Sequence, residues 1–191
     1  MPHLDPIRTR ASQTPRLARS ALALVLTLCA LLAPGGSARA DAYGDVQQLY
    51  KNGHAAQALS KADDYIQQHP DDPQMRFIKA NLLSSEGDTA QAKDMLVDLT
   101  QTYPELAEPW NNLAVLYADD GELDAAQDAL ESALRIDPRY ATALENLGDV
   151  RVQLAQQAYE RSRKSGNDTD RLAHKIQTLR ALLQEPDHAS N

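Results

Sequence analysis

The chain of 191 residues contains one cysteine, one tryptophan and one phenylalanine. The cysteine, Cys29, lies in the first forty residues, so residues 41–191 can form neither a disulfide nor a thiolate zinc site. The five histidines, His3, His54, His69, His174 and His188, show no pairing at ligand spacing. A nucleophile elbow, a phosphate-cradling loop and a paired-carboxylate motif are all missing. The formal net charge is −8, and a chain of that sign is repelled by nucleic acid and by anionic head groups. The longest apolar run, "ALALVLTLCALLA" from Ala21 to Ala33, has 13 residues, short of the roughly 20 that span a bilayer.

What precedes and follows that run gives it a meaning. Arg8, Arg10, Arg16 and Arg19 form a positive stretch before it; Pro34, Gly35 and Gly36 break it, and "ARA" (Ala38, Arg39, Ala40) offers small residues at a cleavage site. This is the layout of a secretory signal peptide, with cleavage expected after Ala40 and a periplasmic mature protein. Cys29 is not read as a lipidation site, because Leu28 precedes it and the apolar run continues past it. Residues 1–40 hold five arginines and one aspartate, so the mature chain carries −12. A retained N-terminal anchor is the alternative reading.

A period of 34 runs through the remainder. Gly53, Gly87 and Gly121 keep that step, as do Pro70, Pro104 and Pro138, and Ala58, Ala92 and Ala126. Helix-forming, alanine-rich stretches lie between each glycine and proline. In the best copy Trp110, Leu113, Ala114, Tyr117, Ala126, Leu130, Ala133 and Pro138 fall in the order of a known signature. The sequence here resembles the tetratricopeptide repeat. The preceding copy keeps Ala80, Leu83, Ala92, Leu96, Leu99 and Pro104, with Arg76 in the place of Trp110; the first copy is weaker. A fourth starts with Leu144, Leu147 and Gly148, then departs at Arg151 and Ala155.

The resemblance implies an all-α fold, an α-solenoid of about three helix pairs, a degenerate fourth unit and a C-terminal capping helix. The expected bounds are 41–72, 73–106, 107–140 and 141–164 for the units, 169–184 for the cap and 185–191 for a flexible tail. Neither helix of a pair can bury its apolar stripe alone, so units stack and share a core. Ala80, Ala114, Gly148, Ala92 and Ala126 are expected at close backbone approaches, with Leu96, Leu116 and Leu130 filling the space between. Each turn glycine ends a first helix in the left-handed conformation. Absence of glycine and proline from Asp149 to Ser165 predicts one long helix through about Lys164. "SGND" then breaks the chain, Thr169 or Asp168 caps the last helix, and Leu172, Ile176, Leu179 and Leu183 form its apolar face.

Trp110 and the acids around Gly121 invite a chemical reading, and a plainer one serves better. The repeat puts Trp110 on the inner face of a first helix, as structural core with Leu113, Ala114, Tyr117, Ala126, Leu130 and Pro138. Asp119 and Asp120 end one helix, while Glu122 and Asp124 start the next, where the helix dipole favours acids. A calcium loop needs ligands at alternate positions over about twelve residues, which this stretch lacks. No catalytic residue, cofactor or metal is expected; an enzymatic or metal-binding module is the least favoured reading.

The resemblance implies a concave groove lined by the first helices. The register nominates Tyr43, Gln47 and Tyr50 in the first unit and Phe77, Asn81 and Ser84 in the second. Asn111, Val115 and Asp119 follow in the third, then Glu145, Asp149 and Val152 in the fourth. Asparagines pair with a peptide backbone through both donor and acceptor, aromatics and Val115 hold apolar side chains, and Glu145 and Asp149 make one end negative. The basic set with which some family members clamp an acidic tail is missing. The expected function is a non-catalytic periplasmic adaptor in cell-envelope assembly. Its groove takes a segment of another envelope protein bearing positive charge; a self-associating scaffold is an alternative. Nucleic acid and, after processing, direct membrane binding are not expected.

Overall fold

The computed structural model describes residues 35–183, with side chains from residue 39 onward. The chain divides into two units, Met1–Asp41 and Ala42–Asn191. Of the first unit only residues 35–41 are described, and they are helical. The apolar run, the arginines before it, Cys29 and the tail at 185–191 lie outside the described residues.

Among the described residues every element is a helix: α1 Gly35–Lys51, α2 Ala55–Gln68, α3 Pro73–Ser85, α4 Thr89–Thr102, α5 Ala107–Asp119, α6 Leu123–Ile136, α7 Ala141–Lys164 and α8 Asp170–Leu183. The 34-residue step recurs in the helix ends themselves: α2, α4 and α6 start at 55, 89 and 123, and α3, α5 and α7 at 73, 107 and 141. Gly35 and Gly36, which follow the apolar run, begin α1, and Ala40 falls within that helix.

Local chemistry explains the boundaries. Gly53, Gly87 and Gly121 sit at φ of +80°, +85° and +77°, where a side chain would be strained, so each turns the chain tightly between paired helices. Pro70, Pro104 and Pro138 lie in the turns after α2, α4 and α6. Pro138 is exposed, so it punctuates the array and does not belong to the core. Asp72 caps α3, its Oδ1 accepting from Gln74 N at 3.0 Å, with Pro73 in the first turn. Thr169 caps α8, its Oγ1 accepting from Leu172 N at 3.3 Å.

Three apolar clusters follow one another along the second unit. Val46, Ala58, Ala62 and Met75 anchor the first, Leu96, Leu99 and Leu113 the second, and Leu130, Ala133, Ala143 and Leu147 the third. Leu96, Leu99 and Leu130 are fully buried, each contributing about 1.5–3 kcal/mol of transfer free energy. Ala80, Ala92, Ala114 and Ala126 have no exposed surface, as expected of close helix contacts. Gly148 does not share that role: it is exposed, and a Cβ there would meet nothing within 4 Å. Leu144, one step beyond Trp110, is 50 % exposed.

The reason is the placement of α8. Lys175 Nζ lies 4.9 Å from the Tyr159 ring and Arg180 pairs with Glu160 at 2.5 Å. The last helix therefore packs on the far half of α7. On the near half Ala143, Leu147 and Val150 are buried in the third cluster, while the face with Leu144 and Gly148 is exposed. Leu172 and Ile176 are buried and Leu179 half-buried on that last helix; for Leu183 the side chain lies outside the description.

Candidate protein-binding groove

Four asparagines on three first helices form a continuous amide ladder. Asn146 Nδ2 on α7 donates to Asn111 Oδ1 on α5 at 2.9 Å. Asn111 Nδ2 donates to its neighbour Asn112 Oδ1 at 3.1 Å, and Asn112 Nδ2 donates to Asn81 Oδ1 on α3 at 2.7 Å. Each amide uses its carbonyl or its NH2 toward the next, so polar groups next to an apolar core are satisfied. Asn111, nominated as a groove contact, is 4 % exposed and is instead the buried centre of the ladder, with both halves of its amide engaged. The ladder's two ends leave the Asn81 NH2 and the Asn146 carbonyl outside its chain of bonds, and both residues line depressions beside it.

Two depressions flank the ladder and meet at Val115. One, of about 270 Å³, is lined by Asn81, Ser84, Ser85, Asn112 and Val115 over a floor of Leu96 and Leu116. The other, of about 160 Å³, lies between α5 and α7, with Val115, Asp119, Asn146, Asp149 and Gln153 around it and Leu130 at depth. Val115 is 41 % exposed, an apolar contact at the junction. Asp119 and Asp149 are exposed and form no ion pair among the described residues. Of the nominated residues, Asn81, Ser84, Val115, Asp119 and Asp149 come together here. Asn112, Asn146, Ser85 and Gln153 join them unnominated. Asn112 and Asn146 stand 34 apart, a signal present in the register.

The other nominated positions serve elsewhere. Glu145 is exposed on α7 outside both depressions, as Gln47 is on α1. Val152 is half-buried on α7 and lines neither. Tyr50 and Phe77 are half-buried against the first and second clusters. Tyr43 is held at the junction of the first two helix pairs. Its hydroxyl donates to Asp72 Oδ2 at 2.6 Å, where Tyr65 also donates, at 2.9 Å, and the two rings meet edge to face at 5.8 Å. Burial, then hydrogen bonding to Asp72 and Tyr65, pushes the Tyr43 hydroxyl well above the ordinary phenol range. Burial of Asp72 favours its neutral acid, but hydrogen bonds from Tyr43, Tyr65 and the backbone of Gln74 and Met75 outweigh it and hold the carboxyl below the usual range.

Trp110 is half-buried, not sealed. One side packs on the third cluster; its Nε1 donates to Pro104 O at 3.2 Å, and the rest borders a hollow of about 280 Å³ between α4 and α6. Neighbouring α6 begins with small residues, Ala125 and Ala129, which cannot cover an indole. The acids at the Gly121 turn are drawn to one cation: Lys93 on α4 pairs with Asp120 and, at 3.1 Å, with Glu122. Asp120 first, then Glu122, holds the Lys93 ammonium above its ordinary value, and the same ammonium lies 5.1 Å from the Tyr117 ring. Among the described residues no three acids, histidines or cysteines are grouped to hold a metal, and no helix is long and apolar enough to cross a membrane.

Residues 107–140 match the tetratricopeptide repeat family model. No curated protein matches the chain. Among solved structures, YrrB, described as a tetratricopeptide repeat protein with an unusual peptide-binding site, is 25% identical with a TM-score of 0.50, over 55% of this chain and 54% of its own. The chain thus spans about half the length of YrrB. The first such domain of Spaghetti (RPAP3), bound to the HSP90 peptide SRMEEVD, is 15% identical over 60% of this chain and 90% of its own, with a TM-score of 0.56. PilF of Pseudomonas aeruginosa is 18% identical over 76% and 69%, also at 0.56; these two likenesses speak for the fold alone. Such repeats are generally non-catalytic modules of protein–protein interaction. With α3 to α6 repeating at 34 residues and the family model matching at α5–α6, residues 107–140 are a tetratricopeptide repeat and the described helices have the all-α fold of such repeats.

Proposed function

We propose that the chain is a non-catalytic adaptor that binds an extended or helical segment of another protein along the face of α3, α5 and α7. One observation carries this: two depressions joined at Val115, walled by asparagine amides and edged by the unpaired carboxylates of Asp119 and Asp149. Amides that both donate and accept fit a peptide backbone; Val115 fits an apolar side chain; the two aspartates fit a lysine or arginine on the ligand. The peptide-binding site ascribed to YrrB supports a ligand of this class. The N-terminal charge and apolar pattern supports export to the periplasm and a role in cell-envelope assembly, with catalysis belonging to the partner.

The test is co-purification from the native envelope with the tagged chain and with an Asp119→Lys, Asp149→Lys variant, after matched melting curves. A partner lost only from the variant supports the groove, and its own activity identifies the pathway; a partner kept by both moves the interface elsewhere. Sequencing the N-terminus of the purified protein decides between a cleaved leader and a retained anchor. Half-exposed Leu144 beside open Gly148 favours self-association as the second reading, to be decided by sedimentation velocity.

A further inference from the structure

Charge is distributed very unevenly along the array. Residues 41–150 hold seven lysines and arginines against twenty-one acids; residues 151–183 hold seven against three. The net charge therefore changes from −14 between residue 41 in α1 and the middle of α7 to +4 over the rest of α7 and α8. Of those seven cations, Arg151 pairs with Glu131, Arg163 and Arg180 both pair with Glu160, and Lys175 lies against the Tyr159 ring. Arg161, Lys164 and Arg171 form no ion pair among the described residues.

Two of these three face one cavity. The 24-residue α7 continues past the level at which the other first helices end. Between its overhang and Leu123 at the start of α6 lies a hollow of about 400 Å³. Gln153, Gln156, Gln157, Arg161 and Lys164 line it, spaced three and four apart and so on one face of the helix. Glu160 is the one acid there, and two arginines already neutralise it.

We propose that this overhang is a second docking surface, for a short acidic peptide segment. Two unpaired cations supply the charge attraction, and three glutamine amides supply donors and acceptors for the segment's backbone. A short segment is favoured over a polyanionic surface because the chain as a whole is acidic. A membrane or a nucleic acid would meet the −14 region as well, whereas a peptide reaches only the local field, which decays within about 8–10 Å at ordinary salt. The surface meets the groove described above at Gln153, which borders both, but its two cations line this hollow alone and are opposite in charge to Asp119 and Asp149, so charge reversal at either pair tests its own surface. Together they would let one molecule hold a basic and an acidic segment at once.

The test is fluorescence anisotropy with the full-length chain and a labelled glutamate- and aspartate-rich peptide, beside its lysine-substituted counterpart, at low and at ordinary salt. The acidic peptide is expected to bind, more weakly as salt rises. An Arg161→Glu, Lys164→Glu variant is expected to lose about tenfold or more in affinity. Asp119→Lys with Asp149→Lys, the groove variant, is expected to leave this binding intact. Should the charge reversals lower the melting point, Arg161→Gln with Lys164→Gln takes their place. No binding of the acidic peptide, or undiminished binding by the variant altered at Arg161 and Lys164, overturns the proposal. Anionic vesicles or duplex DNA binding as tightly as the peptide, and losing that binding in the variants, overturns the choice of a peptide.

Discussion

Asn112 Nδ2 donates to Asn81 Oδ1 across 2.7 Å, joining the first helices of two successive repeats by a side-chain bond where apolar packing would otherwise suffice. Through Asn111 the same chain reaches Asn146 in the next unit. The ladder thus fixes three helices in register directly beneath the depressions proposed to hold a ligand. An amide beside a dry core is costly when left alone, which makes the arrangement cooperative.

Replacing the central member should expose that cost. Asn111→Ala removes the acceptor for Asn146 and the donor to Asn112 at a site 4 % exposed. The expected loss is about 1–3 kcal/mol, since two partners then lose their bonds close to the core. Asn81→Ala, at the half-exposed end of the ladder where water replaces the lost partner, should cost less. Urea unfolding of both variants checks the order; equal losses would mean that the ladder is not a connected unit.

The Tyr43–Asp72–Tyr65 cluster predicts pH dependence on two limbs. The folded carboxyl of Asp72 is held below its ordinary value. Its contribution is therefore complete above the unfolded value of about 4 and is lost as pH falls through the folded one. Tyr43 is shifted the other way, so its contribution is complete below about 10 and is lost as pH rises toward the folded value. Asp72→Asn should flatten the acid limb of the urea midpoint against pH. Tyr43→Phe should flatten the alkaline limb and move the acid limb upward, because Asp72 loses a donor. An acid limb unchanged in Asp72→Asn would assign it to other carboxylates.

Two glycines should respond in opposite directions. Gly148 lies within α7, and a Cβ added there meets open space, so Gly148→Ala should stabilise by about 0.5–1 kcal/mol. Gly121 also has room, but its φ is +77°, and Gly121→Ala should destabilise by about 1–2 kcal/mol from backbone strain. Thermal melts of the pair measure the contrast. If Gly148→Ala destabilises instead, that face of α7 is packed by something, a second copy being the first to look for by sedimentation.

The 34-residue period was legible because it is written twice, in turn glycines and inter-repeat prolines whose backbone demands do not depend on distant residues. The long α7 and the bounds of α8 followed from the same local punctuation. The site was legible only in part. Asn81, Ser84, Val115, Asp119 and Asp149 could be placed by register, since one face of a helix is a matter of period. That Asn111 turns inward toward Asn146 while Asn112 reaches Asn81 depends on the rotation of three helices against one another, which a period does not specify. Tyr43 bonds across 29 residues of chain to a capping aspartate, a contact that exists only after the first pairs have stacked. The offset of α8, which strands Leu144 and Gly148, is likewise a packing outcome with no local sign.

Trp110 carries the last prediction. Were its ring sealed, truncation would cost about 3–5 kcal/mol. The indole instead rests one side on the third cluster and opens the other onto a hollow of about 280 Å³, so much of its surface is already hydrated. Its Nε1 bond to Pro104 O ties α5 to the turn that precedes it, and water can replace that bond. Trp110→Ala should therefore cost about 2–3 kcal/mol, below the range for a sealed ring. Trp110→Phe keeps the buried side and should recover more than half of the loss. Urea unfolding, run alongside partner capture, separates the roles. A variant that loses stability but keeps its partner once folded makes Trp110 structural, whereas a stable variant that loses the partner would move the binding site to the α4–α6 hollow.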